Sequence, residues 1–431
     1  MRYSHHHNLL DQHNILNPNN TGLYSNYPLG PSWFPLTRKS ALQEDWDSMF
    51  LQLGNTFFKD ISNPYAVYMG MGKIDYLEMP STILDIKPKN KMNKKGLKIY
   101  LLEPLSTYNI NDVNKEALYT NYEISDIDNI RAKELDSISK FAERNGLTNV
   151  SVYTPDYKVN DYFGLLYPEL KLYCSPVDWH HLATMKVDIQ IAEVSNIVKK
   201  FWCGNWKYAS HKHLIASYLM GKFDVSDINL SWIYSSSQTM LKNNIWFNLD
   251  ELPNYKSSIL DGAQQLDLVA PATMGITLTN ALDINDEPSE MHIDTTPKSY
   301  YNECFCAIIT EPRFAQATGL LTEKIMNPII NCKPFIMVGP PGNLEFMHKW
   351  GFQTFGDYWD ESYDEEECHH KRIEKILDLI NWIGNMSIEE LQNLYERMLP
   401  TLMFNQVHIL DLQEQLLEQP ITKNILFKRL G

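Results

Sequence analysis

CFCAIITEPRF (residues 304–314) and LTEKIMNPIINCKPFIMVGPPGNLEFMHKWG (residues 321–351) decide the fold. The first opens with apolar residues that do not alternate with polar ones. That pattern marks a strand covered on both faces rather than a half-exposed one. The strand, CFCAIITEP (304–312), ends at Pro312 and is followed by a loop. TEKIMNPIINC (322–332) then reads as a helix, PFIMVG (334–339) as a second buried strand, and GPPG (339–342) as a tight turn. NLEFMHKWG (343–351) reads as a further helix and FQTF (352–355) as a short strand. Strands that alternate with helices in this way predict a largely parallel sheet with helices on its faces.

The alternation extends toward the amino terminus. KKFWCGNW (199–206) reads as a strand and turn, SHKHLIASYLMGK (210–222) as a helix with an apolar stripe, and INLSWIYSS (228–236) as a strand. Residues 237–300 read as an irregular, polar insertion. A second series lies upstream. It comprises a strand at LKIYLLEP (97–104), a helix over 124–146 closed by Gly146, and strands at VSVYT (150–154) and LKLYCS (170–175). The expected class is α/β, with two Rossmann-like domains facing across a cleft, an extra N-terminal arm and C-terminal helices. The expected division is an arm and extension over 1–95, one Rossmann-like domain over 96–196, a second over 197–385, and helices over 386–431. Residues 1–40, rich in Asn, Tyr, Pro and His and including His5 to His7, read as a solvated arm. The basic run from Lys87 to Lys95 reads as a linker.

Composition excludes several function classes. The chain has 431 residues, 44% of them apolar, and a net charge of −15. Broad, sequence-independent nucleic-acid binding depends on neutralising phosphates and does not fit such a surface. No apolar stretch is long enough to span a bilayer, and the first residues lack the apolar core of a signal peptide. The six cysteines form no CxxC pair. A reduced, cytoplasmic setting is expected.

The residues with chemical content cluster at the expected carboxyl ends of strands, where open α/β sheets bind ligands. Thr310-Glu311-Pro312-Arg313 ends one strand, and Thr322-Glu323-Lys324 opens the next helix. A helix start offers unpaired N–H groups and a positive dipole end, so a lysine there can cradle a diphosphate. A glutamate in the same turn can accept from ribose hydroxyls. The plainer alternative is an ordinary helix start with Thr322 as N-cap. Gly339 and Gly342 flank a turn where backbone can approach a ligand, although such βα turns are common. Trp202, Trp206 and Tyr208 either stack on a base or sugar or pack in the core. Asp126 and Asp128, an Asp-x-Asp pair, read as a helix start and not as a metal site. The acidic run Asp360–Glu367 reads as the solvated start of a helix.

FCAIITEPRF, the stretch from Leu320 to Phe355 and DESYD (360–364), with FWCGNWKYASHKHLIASYL upstream, together resemble a glycosyltransferase group. Its members are similar to the α1,3-fucosyltransferase family, glycosyltransferase family 10, and occur in phages and marine bacteria. The resemblance covers roughly residues 197–384. It implies a GT-B architecture in which the C-terminal domain holds a nucleotide-sugar donor, possibly a GDP-sugar, and the N-terminal domain holds a glycan, protein or other hydroxyl acceptor. It also implies no metal and no separate cofactor, an inverting transfer, and host cytoplasm as the setting if the chain is phage-encoded. The donor-binding set it implies is Asn205, Lys207, His211, Lys212, Glu311, Arg313, Thr322, Glu323, Lys324, Gly339 and Gly342. The chain departs from the family in carrying Lys207, or Lys212 of the His211-Lys212 pair, where the family has arginine. Arginine grips phosphate with two parallel bonds and lysine does not. The general base is expected to be a carboxylate of the N-terminal domain. Glu103, at the end of LKIYLLEP, is the first candidate; Asp156 and Asp178 also follow strands. The alternative is a non-catalytic binding or virion-associated protein that keeps the GT-B scaffold.

Overall fold

Parallel strands make up most of two separate sheets. The computed structural model describes residues 66–69, 93–94, 96–101, 107–109, 130–154, 156, 163–174, 197–205, 209–232, 247–269, 276–277, 298–314 and 321–418. The chain divides into two units, Met1–Thr184 with Leu412–Gly431, and Met185–Asp411.

In the first unit, β1 (Ala66–Met69), β2 (Leu97–Leu101), β5 (Val150–Thr154) and β6 (Leu170–Cys174) lie side by side in that order, all parallel. A separate antiparallel pair joins β3 (Thr107–Asn109) to β4 (Ile130–Ala132). The helix expected over 124–146 is therefore shorter. Residues 130–132 are strand, and α1 covers Lys133–Asn145. Its amino end carries Glu134 and Asp136, which suit the positive dipole end. It stops as expected at Gly146, whose left-handed φ of 56° turns its N–H back onto the last carbonyls of the helix. Tyr167 ties this helix down by donating to Asp136 over 2.7 Å.

The second unit carries a five-stranded sheet. Its strands are β7 (Lys199–Gly204), β8 (Ile228–Trp232), β9 (Ile276–Thr277), β10 (Cys304–Thr310) and β11 (Phe335–Val338). The spatial order is β11-β10-β7-β8-β9, with only β9 antiparallel. All seven residues of β10 are buried, as its unbroken apolar run predicts. From β7 the chain passes through α2 (Ser210–Lys222) to β8 and then β9. It next returns past β7 to β10 and β11 on the other side, so the order reverses between β7 and β10. The sheet is thus largely parallel, with one reversal of strand order.

Three expectations need correction here. The first is α2, which has no exposed face opposite an apolar stripe: every residue from Ser210 to Met220 is buried. The second is the segment 237–300, which is no irregular insertion. It contains α3 (Lys256–Val269), which covers α2, as well as β9 and the start of α4 (Lys298–Glu303). The expected helix over 322–332 is a 3₁₀ turn, Glu323–Ile325, followed by the short α5 (Met326–Ile330). Cys332 then adopts a φ of 49°, unusual for a residue with a Cβ, and the Tyr395 hydroxyl holds its carbonyl over 3.0 Å.

After β11 come α6 (Asn343–Lys349), α7 (His369–Gly384) and α8 (Ile388–Glu418). FQTF (352–355) is not a strand. The Glu361 carboxylate takes the Phe355 N–H and the Thr354 hydroxyl instead of a neighbouring strand. Asn405 of α8 grips Gln353 through both its backbone groups, over 2.8 and 2.7 Å. Among the described residues, no helix is long and apolar enough to cross a membrane.

Candidate functional site

The strand order reverses between β7 and β10, the place at which open α/β sheets bind ligands beyond the carboxyl ends of their strands. β7 runs out into Asn205, which is buried. Its N–H donates to Ser231 Oγ over 2.9 Å, its side-chain amide reaches Cys203 Sγ over 3.2 Å, and its Oδ1 accepts from Thr310 Oγ1 over 2.8 Å. Through its backbone N–H and its side chain, one residue thereby joins the ends of β7, β8 and β10.

Five residues on, α2 begins without a side-chain cap, and its second residue, His211, turns toward β10. His211 Nε2 lies 2.7 Å from the Glu311 carbonyl. A carbonyl only accepts, so Nε2 carries the hydrogen and Nδ1 is bare. Nδ1 is buried and has no hydrogen-bond partner among the described residues. Burial and the neighbouring Lys212 charge, with Arg372 adding to them, push the imidazole pKa down to about 3. This histidine is therefore neutral in ordinary conditions and acts as a donor toward Glu311, not as a cation.

Glu311 is the hub. Its N–H continues the ladder to Val338 over 2.9 Å. Its carboxylate accepts from Thr322 N over 3.0 Å and from Thr322 Oγ1 over 2.6 Å. Thr322 Oγ1 in turn accepts from Lys324 N over 3.4 Å and from Lys324 Nζ over 3.3 Å. Thr322 thus caps the 3₁₀ turn as its residue type predicts, and the protein's own Glu311 occupies its N–H. Lys324 is half-buried beside this pair, and Arg313 is buried in the loop directly after Glu311.

The two glycines have distinct reasons. A Cβ on Gly339 would sit 2.4 Å from Asn343 Nδ2 and 3.3 Å from Glu311 Cγ, so the end of β11 closes against those side chains only without one. Gly342 has a φ of 84°, and its N–H donates to the Asp364 carbonyl over 2.8 Å. Asp364 Oδ2 then accepts from Leu344 N and Glu345 N, over 3.0 and 3.1 Å, and so caps α6. The acidic run therefore does not open a helix. Asp360–Glu367 lie in turns ahead of α7, and one of them caps a different helix.

Of the sequence-predicted set, Asn205, His211, Glu311, Thr322, Lys324 and Gly339 meet at the carboxyl ends of β7, β10 and β11. Lys212 acts on His211 through its charge. Gly342 lies at the start of α6, and Glu323 is described in its backbone alone. Lys207, Glu103, Asp178, Trp206, Tyr208 and the Asp126–Asp128 pair lie outside the described residues. Trp202 packs edge-on against Tyr301 in the core, with ring centroids 5.8 Å apart. Asp156 is fully buried just beyond β5 in the first unit, where Thr154 Oγ1 donates to it over 3.1 Å. Among the described residues, no three His, Cys, Asp or Glu side chains converge as a metal site would require.

The sequence reading missed the support behind His211. Arg372 of α7 is buried; its Nη2 donates to the Phe314 carbonyl and its Nη1 to the Glu366 carbonyl over 2.6 Å. Its guanidinium lies 4.4 Å from the Phe314 ring centroid, and that ring also stacks on His211 at 5.4 Å. One signal was available: Arg372 shares the i, i+4 spacing of the buried Ile376 and Ile380. No family model, curated protein or solved structure matches the chain.

Proposed function

We propose that the carboxyl edge of the 199–338 sheet binds a nucleoside-diphosphate sugar and that the protein transfers the sugar to a hydroxyl acceptor. The observation that carries the reading is the strand reversal between β7 and β10, flanked by Asn205, His211 and Glu311. Lys324, Arg313 and Lys212 lie on the segments that leave these strand ends. They would offset the charge that develops on a departing diphosphate. The resemblance of the same residues to a fucosyltransferase-like donor site agrees with this. On the acceptor side, a carboxylate would take the hydroxyl proton. Glu103 is the first choice, and buried Asp156 at a strand end is the second.

A non-catalytic binding role is the other reading, and one observation favours it. The Glu311 carboxylate already occupies the Thr322 amide and hydroxyl, so part of the expected donor cradle is satisfied within the protein. Calorimetry with GDP-, UDP- and TDP-sugars tests both. Binding by one nucleotide class, weakened about tenfold or more in Lys324→Ala by loss of a charge-assisted contact, supports the site. Release of the nucleoside diphosphate on adding acceptor glycans then supports transfer. Binding without release favours the second reading, and no binding in any arm overturns both.

A further inference from the structure

Helix α8 carries two apolar stripes, although a helix packed on a core needs one. Leu391, Leu394, Tyr395, Met398, Leu402 and Ile409 are buried against the protein. On the opposite side Met403, Phe404 and Val407 are 48%, 44% and 57% exposed, next to exposed Pro400. Isolated exposed apolar residues are ordinary, but neighbours on one turn of one helix form a contact face. Arg397 and Asp411, both exposed, bracket this face. They stand seven residues before and seven residues after Phe404. At 1.5 Å per residue each lies roughly 10 Å from it along the axis, and the heptad spacing puts all three on one side of the helix.

From this face we infer that the protein pairs with a second copy of itself through α8, antiparallel, with Phe404 near the two-fold axis. The charge pattern selects this occupant and this direction. In an antiparallel pair, Arg397 of one copy lies beside Asp411 of the other, and the contact occurs twice by symmetry. A parallel pair would set Arg397 against Arg397 and Asp411 against Asp411. Pro400, Met403 and Val407 then cover one another around Phe404. The buried patch is small, so the association is weak and concentration-dependent. The inference does not rest on nucleotide or sugar chemistry.

Sedimentation velocity on the full chain, from about 1 to 300 µM, is the test, with circular dichroism confirming that each variant is folded. Wild type is expected to pass from monomer to dimer within that range, and Val407→Lys to stay monomeric. Arg397→Glu and Asp411→Arg are each expected to weaken association by about tenfold, and the R397E/D411R double variant to restore it. A monomer at every wild-type concentration would overturn the proposal, whether α8 is then covered by another part of the chain or by a different partner. A dimer that tolerates Val407→Lys would also overturn it, because the interface would lie elsewhere. Failure of the double variant to restore pairing would exclude the antiparallel arrangement.

Discussion

The Thr310 hydroxyl donates to Asn205 Oδ1 over 2.8 Å, bridging the point at which the strand order reverses. Both residues are buried, so neither can replace the other with water at no cost. Thr310→Val keeps the shape and removes the donor, leaving the amide oxygen of Asn205 without its Thr310 bond. Urea unfolding is expected to show a loss of about 1–3 kcal/mol. If these strand ends form the nucleotide site, calorimetry should show weaker binding in the same variant. Unchanged stability would mean that the bridge contributes nothing in solution.

Helices α2 and α3 cross at Gly221 and Gly262. A Cβ on Gly262 would lie 1.7 Å from the Ser217 carbonyl oxygen, and one on Gly221 would lie 1.9 Å from that of Ser258. Both obstacles are backbone, so the helices themselves must separate. Gly262→Ala is expected to cost about 3 kcal/mol or more. Gly356→Ala is the control, since its nearest obstacle is the tip of Glu361 at 3.4 Å and its cost should stay within about 0.5 kcal/mol. Equal melting temperatures for the two variants would contradict the close crossing.

The sequence made the strands legible because burial on both faces leaves an unbroken apolar run, as in Cys304–Ile309. It also made the Glu311–Thr322–Lys324 group legible, since a carboxylate at a strand end and a Thr-Glu-Lys helix start are local patterns. It did not show α3, because Lys256–Val269 mixes serines, glutamines and aspartates with its apolar residues, and its partner α2 shows no polar face of its own. Asp364 was misread for a related reason. Its carboxylate caps a helix that begins at Asn343, 21 residues earlier, and no local spacing encodes such a long-range cap.

Burial holds His211 near pKa 3 and His213 near 4 in the folded protein, against about 6.5 when unfolded. For His213, Asp267 pulls the other way without overcoming burial. Both folded values are depressed, so their contribution is complete above about pH 6.5 and is lost as pH falls toward 4 and then 3. In that window the unfolded chain takes up a proton at each site that the folded chain does not. Each histidine is expected to add up to about 1.4 kcal/mol per pH unit to the slope of stability against pH. Denaturant melts between pH 6.5 and 4.5 should show a shallower slope for His213→Asn than for wild type. Parallel slopes would place the acid sensitivity elsewhere.

Lys333 gives the opposite end of the pH scale. It is buried just before β11, with its ammonium 3.3 Å from the Asn302 carbonyl and 4.8 Å from the centroid of the Tyr395 ring. Burial lowers its pKa from 10.5 to about 7, although nearby Cys304, Cys332 and Cys306 oppose the shift. Between about pH 7 and 10.5 the unfolded chain holds a proton at this lysine that the folded chain has released. Stability at this site therefore rises with pH across that window, and below about pH 7 the full cost of burying the charge remains. Lys333→Met keeps most of the stem and removes the charge, at the expense of one hydrogen bond and the contact with Tyr395. The variant is expected to be more stable than wild type at pH 6 by about 1–3 kcal/mol, since desolvation of an ion outweighs those two contacts. The advantage should shrink steadily toward pH 10. Burial pushes the thiols of the three cysteines up to about 11 or higher, so they stay protonated in both folded proteins across this window, and in the two unfolded chains they titrate alike. A variant less stable than wild type at pH 6, or an advantage constant with pH, would show that Lys333 is well accommodated as a cation.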